Sequence, residues 1–207
     1  MAYANEEGTM RRSVKVVLGV LLLSLAAANV ALAQKRSDGT PVRRQGFWFG
    51  LGLAAGSVGM ECSGCPSDRK SGGSGYIRLG GTLSPHWLLG AEINGWARSE
   101  SGVDMALANV AFVASWYPSR TGGFFLKFGF GGMGYTEDDG SDKTETAGGS
   151  AIIGIGYDIP IGRTVSLTPF LNSMASSNST VKYNGTKIPG IEINSNLVQF
   201  GLALSFH

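Results

Sequence analysis

A chain of 207 residues, 15% of them charged and with a net charge of +2, has room for one domain or a small pair. That is poor in charge beside the roughly one quarter of a usual soluble domain, and the near-neutral balance gives nucleic acid nothing to bind. Its 32 glycines follow no triplet period, which excludes collagen, and no Gly-Lys-Ser/Thr phosphate loop occurs.

Arg11, Arg12 and Lys15 precede an apolar run over 16–30, and Ala31-Leu32-Ala33 sets small residues at signal-peptidase spacing. Residues 1–33 read as a secretory signal peptide. Met10 is a candidate start, because residues 1–9 carry none of these features. The run is short for a helix of roughly 20 apolar residues that spans a bilayer. Gln34, not a cysteine, stands directly after the cleavage site, so the lipoprotein reading is set aside. Beyond the signal no segment reaches the length of a membrane helix. A mature chain resident in a membrane must therefore be a closed barrel. Residues 34–45 are polar and basic and read as a leader, periplasmic if such a barrel forms.

From residue 46 the pattern has period two, the mark of strands. Residues 47–55 set Phe47, Phe49, Leu51 and Leu53 on one face, with Gly50 and Gly52 opposite. A polar loop over 59–73 follows. In 75–83, Ile77, Leu79 and Leu83 oppose Tyr76, Arg78, Gly80 and Thr82. After the turn at 84–86, residues 87–97 set Trp87, Leu89, Ala91 and Ile93 against Gly90, Glu92 and Asn94. A connection at 98–102 leads to 103–117, where Ala108, Val110, Phe112, Ala114 and Trp116 oppose Asn109, Ala111 and Ser115. Past a turn at 118–123, residues 124–135 set Phe124, Leu126, Phe128 and Phe130 against Lys127, Gly129 and Gly131. An acidic loop at 136–149 precedes 150–159, where Ala151, Ile153, Ile155 and Tyr157 oppose Gly154, Gly156 and Asp158. A turn at 160–163 leads to 164–175, where Pro169 removes one ladder donor and predicts a bulge. The loop at 176–190 contains Asn184-Gly185, a hairpin-turn pair that lets these strands run on past a membrane. In the last strand, 196–206, Val198, Phe200, Leu202, Leu204 and Phe206 oppose Leu197, Gln199, Gly201, Ala203 and Ser205.

Eight strands of about ten residues match what tilted strands need to cross hydrocarbon. Short turns at one end, mostly longer loops at the other and an even strand number fit an outer-membrane barrel. Phe47, Trp87, Trp116, Phe124, Tyr157 and Phe206 fall together at the short-turn end, like an interfacial girdle. The expected fold is all-β: an eight-stranded antiparallel up-and-down transmembrane β-barrel over residues 46–207.

The stretches Trp87-Leu88-Leu89-Gly90-Ala91-Glu92, Ser115-Trp116-Tyr117-Pro118, Leu126-Lys127-Phe128-Gly129-Phe130-Gly131 and the last strand carry a resemblance to the small eight-stranded outer-membrane barrel family, the OmpA/OmpX-like barrels. The resemblance spans the mature chain after its leader. It implies a bacterial outer-membrane protein with a structural or surface-interaction role, such as envelope integrity or adhesion. It also implies a bilayer and lipopolysaccharide around the wall, and barrel-assembly machinery that reads a terminal aromatic. Here His207 follows Phe206. The resemblance specifies no extracellular partner.

Arg78, Glu92, Lys127 and Asp158 share the inward face, so they are expected to pair as a charge network that plugs the lumen, since an unpaired buried charge costs several kcal/mol. A weakly conducting ion or water path is the sharper alternative. A soluble periplasmic barrel carrying an apolar ligand is another, with Phe47, Leu51, Phe128 and Phe200 lining its cavity. Cys62 and Cys65 read as a small-loop disulfide after export. The acidic stretch from Glu137 to Asp142 does not match calcium-loop spacing. His86 and His207 lack a triad-like setting, so no catalytic residue, metal or cofactor is expected.

Overall fold

The computed structural model describes residues 44–61 and 69–207, the side chains of 178, 179 and 190–192 excepted. The strands are β1 (Phe47–Glu61), β2 (Arg69–Ser84), β3 (Trp87–Glu100), β4 (Val103–Trp116), β5 (Phe124–Asp138), β6 (Lys143–Tyr157), β7 (Ile159–Pro160), β8 (Val165–Tyr183) and β9 (Thr186–Phe206). Each long strand pairs antiparallel with the next in sequence, and β1 pairs with β9 to close the wall. The two-residue β7 continues the β6 ladder onto β8 past Asp158. The described residues thus form a closed eight-stranded up-and-down barrel. They include no helix long and apolar enough to cross a membrane.

The strands outrun their sequence pattern at one end. The described residues of 59–73, 136–149 and 176–190, stretches expected as loops, are largely ladder. β1 runs to Glu61, β5 and β6 stop only at Asp138 and Lys143, and β8 and β9 meet at a two-residue turn. Above the lipid either face of a strand can be polar, so apolar alternation ends before backbone pairing does. The tips show why the chain turns where it does. Ser101 and Gly102 take φ of 53° and 83°, and Asn184 and Gly185 take 47° and 80°. Two successive left-handed residues make the hairpin turn that matches strand twist. The bulge expected at Pro169 is absent, because its register against Leu202 of β9 is unbroken. Its missing donor falls on the other edge, where β6 gives way to β7. Register shifts lie instead at Thr82/Ser84, Ala147/Gly149 and around Ser179.

The large apolar side chains point out. Leu53 is 81% exposed, Phe130 72% and Phe112 68%, whereas inward Leu107 is 2% exposed. Phe47, Leu51, Phe128 and Phe200 all lie on this outer surface, so the ligand-carrier arrangement does not occur. At the short-turn end Trp87 lies 5.7 Å from Phe128 and 6.5 Å from Trp116, ring to ring. Trp116 and outward Asp104 bound a stretch of β4 that rises about 30 Å at the usual strand tilt. That is the thickness of a bilayer's hydrocarbon core.

Candidate functional site

The lumen holds the four charges singled out from the sequence, and all four are buried. Arg78 and Glu92 are direct register partners on β2 and β3. Yet Glu92 pairs with Lys127 of β5, whose Nζ donates to both carboxylate oxygens at 2.6 and 2.7 Å. Arg78 makes no ion pair among the described residues. Its Nη2 donates to Ser205 Oγ at 2.9 Å. Ser205 Oγ lies 3.0 Å from Thr168 Oγ1, which donates to Asp158 Oδ1 at 2.7 Å. Two hydroxyls therefore bridge cation to carboxylate. Asp158 Oδ2 accepts from the Tyr117 hydroxyl at 2.8 Å. The network thus has a direct ion pair near mid-lumen and a hydroxyl-bridged pair toward the short-turn end.

Sequence reasoning missed two parts of this site. The first is a set of large inward side chains, including Trp48, Trp96, Phe125 and Phe170, all buried, which join the inward Tyr76. Their signal is cross-strand. A Cβ at Gly52 would stand 2.6 Å from Tyr76 Cε1, its register neighbour, and one at Gly156 would run into Phe125 Cζ. Those glycines leave the space the neighbouring ring fills. Above the charges lies a belt of amides. Asn109 Nδ2 donates to Ser150 Oγ at 2.5 Å, Asn172 Nδ2 to Gln199 Oε1 at 3.3 Å, and Gln199 Nε2 to Ser74 Oγ at 2.5 Å.

The second is the pair of residues that close the short-turn end. Arg44, at the end of the leader, lays its guanidinium 3.7 Å from the Tyr117 ring centroid. It also donates to the carbonyls of Ser119, Arg120 and Gly122 at 3.5, 3.3 and 2.5 Å. His207 donates its peptide N–H to Thr164 O at 2.9 Å, and its buried ring sets Nε2 3.6 Å from Asp158 Oδ2. We expect Arg44→Ala to cost about 1.5–3 kcal/mol, the range for hydrogen bonds from a charged donor. Arg44→Lys should recover less than half of that, since an ammonium lacks the planar fork. Denaturant midpoints of the refolded chain measure both; an unchanged midpoint for Arg44→Ala means the leader end does not dock.

His86 Nδ1 lies 2.7 Å from the Tyr117 carbonyl at the short-turn end. The acidic stretch forms the β5–β6 tip, where Asp139 Oδ1 accepts from the N–H groups of Ser141 and Asp142 at 2.9 and 2.7 Å. The Asp142 carboxyl is held below its ordinary range by the Tyr183 hydroxyl and then the Asn184 amide, which ties this tip to the β8–β9 tip. No cluster of three metal-ligating side chains occurs among the described residues. Cys62, Cys65 and the signal segment 1–33 lie outside the described residues.

An apolar outer wall, an aromatic girdle at the short-turn end and a filled polar lumen define the small eight-stranded outer-membrane β-barrel fold. No family model matches the sequence, and no curated protein matches it. Among solved structures the chain is similar to Neisserial surface protein A, at 13% identity over 76% of this chain and 96% of that one, with a TM-score of 0.55. OprG of Pseudomonas aeruginosa matches at 13% identity over 80% and 98%, with a TM-score of 0.46. Ail of Yersinia pestis matches at 13% identity over 77% and 99%, with a TM-score of 0.44. The fold likeness rests on the first.

Proposed function

We propose that this chain is a bacterial outer-membrane protein with a structural or surface-interaction role, and that its lumen is closed. Its short turns and leader face the periplasm, and its extended hairpins face outward into the lipopolysaccharide layer. The signal-like start supports export. The final outward aromatic, Phe206, supports insertion by the barrel-assembly machinery. NspA, by name a surface protein, has the same fold.

The observation that carries closure is the filling of the lumen cross-section. Glu92 is 0% exposed and held at both oxygens by Lys127, among buried Tyr76, Phe170 and Asn172. Eight strands leave room for side chains and little more. In planar bilayers the wild-type chain is therefore expected to show no resolved current steps. Steady single-channel steps from the wild type would overturn closure in favour of the weakly conducting path, and Glu92→Ala would then show whether the ion pair gates it. Outer-membrane residence is checked separately. The protein should pellet with outer membrane and change gel mobility on boiling.

A further inference from the structure

Charge is divided between the two ends of the barrel. Apart from buried Glu92 and Asp158, every acidic side chain of the described residues lies in the outer parts of β1 and β3 to β6 or on their tips. Three cations of that end are paired: Lys70 with Glu137 at 3.8 Å, Arg98 with Glu100 at 2.7 Å and Lys143 with Glu145 at 2.7 Å. The short-turn end has no exposed Asp or Glu among the described residues, since Asp158 is turned inward to Tyr117 and Thr168. Its exposed charges are Arg120 and Arg163, and neither makes an ion pair there. In sequence, the residues before Arg44 include Lys35, Arg36 and Arg43 against one acid, Asp38.

The two arginines stand on a linked collar. Tyr117 N–H donates to His86 O at 2.8 Å, which ties the first short turn to the second. Asp158 N–H donates to Gly123 O at 2.9 Å, which ties the second to the third. Arg120 Nε donates to His86 Nε2 at 3.4 Å across the first of these seams. Apolar side chains run down the outer wall to the collar itself. Leu83 and Ile159, at its edge, are 71% and 43% exposed. Grease therefore gives way directly to arginine, just past the aromatic girdle, and that is the level of lipid headgroups.

A guanidinium fork matches the oxygens of a phosphate. A zwitterionic headgroup offers its phosphate together with an ammonium, which the arginines meet as a like charge. A glycerol headgroup offers the phosphate alone. We propose that the periplasmic collar around Arg120 and Arg163 is a binding surface for anionic glycerophospholipids of the inner leaflet, with phosphatidylglycerol as the type. The proposal rests on the outer-membrane reading. It gives the barrel a lipid preference on the side opposite its lipopolysaccharide layer.

Trp87 and Trp116 lie on the outer wall at this end, whereas Trp48 and Trp96 are buried in the lumen. Lipid contact at the collar can therefore be read from tryptophan emission. The protein is refolded in phosphatidylcholine vesicles in which a minor share of the lipid is brominated, because bromine quenches on contact. Brominated phosphatidylglycerol is expected to associate roughly five- to twenty-five-fold more strongly than brominated phosphatidylcholine, the gain from one to two arginines at an anionic headgroup. Arg120→Gln with Arg163→Gln should bring the two lipids level. Salt at about 1 M should remove most of the preference without any variant, since it screens beyond ~3 Å. Lys182→Gln with Lys187→Gln, at the opposite end, should leave the preference intact. Equal quenching of the wild type by both lipids would overturn the proposal, while outer-membrane residence stands. Quenching by neither lipid would mean that the wall does not meet lipid, and the outer-membrane reading falls with the proposal. A preference lost with the lysine pair and kept with the arginine pair would move the site to the other end and overturn the collar. Peptidoglycan is the other polyanion on this side. Wild type without a lipid preference that co-sediments with purified sacculi, dependent on Arg120 and Arg163, would put the cell wall in place of lipid.

Discussion

Lys127→Met is expected to destabilise the folded barrel by about 3–5 kcal/mol, the cost of breaking a buried ion pair from one side. Lys127 Nζ donates to both oxygens of Glu92, and both side chains are almost wholly buried. Taking away the ammonium leaves a carboxylate in the middle of the lumen. Arg78 is its register partner, but no Arg78 nitrogen lies within ion-pair distance of it. The methionine keeps most of the volume, so the loss reports charge and not a cavity. Glu92→Gln combined with Lys127→Met should recover most of the stability, because neither charge is then left alone. Reversible denaturant unfolding in lipid vesicles, followed by tryptophan emission, gives all the midpoints. A single-variant loss below about 1 kcal/mol would mean the pair is solvated like a surface salt bridge.

Strand identity and face were legible because lipid imposes one demand on every outward position. Leu51, Ile77, Leu89, Val110, Phe128, Ile153, Leu171 and Phe200 each obey it separately, so a single strand read alone discloses its own parity. Nothing comparable constrains the inside. Whether Tyr76 fits depends on Gly52 across the ladder, and whether Phe125 fits depends on Gly156. Volume there is shared between strands and is invisible within one. Charge pairing was hidden for a related reason. Register sets Arg78 opposite Glu92, yet long side chains reach across a narrow lumen as easily as along its wall. Glu92 of β3 therefore meets Lys127 of β5, a strand that is not its neighbour. The ends of the strands were hidden because water, unlike lipid, leaves no apolar signature on the side chains it covers.

Arginines placed along the outer face of β4 should show a cost that depends on depth. The outward positions run Trp116, Ala114, Phe112, Val110, Ala108, Ala106 and Asp104, from girdle to open water. Val110 lies midway between the two ends and is exposed on the outer surface. Val110→Arg should therefore cost about 2–4 kcal/mol, the midplane figure for a cation on the lipid face. Ala106→Arg, one outward step below Asp104, should cost about 0–1 kcal/mol, since its side chain reaches the interface. Ala114→Arg, just above Trp116, should also fall short of Val110→Arg. Unfolding midpoints in vesicles rank the three. A flat profile would mean that this wall does not face lipid, since in water an added arginine costs the same at every height. A maximum displaced toward Ala106 would instead mean that the wall sits deeper in the bilayer than the girdle at Trp116 and Trp87 implies.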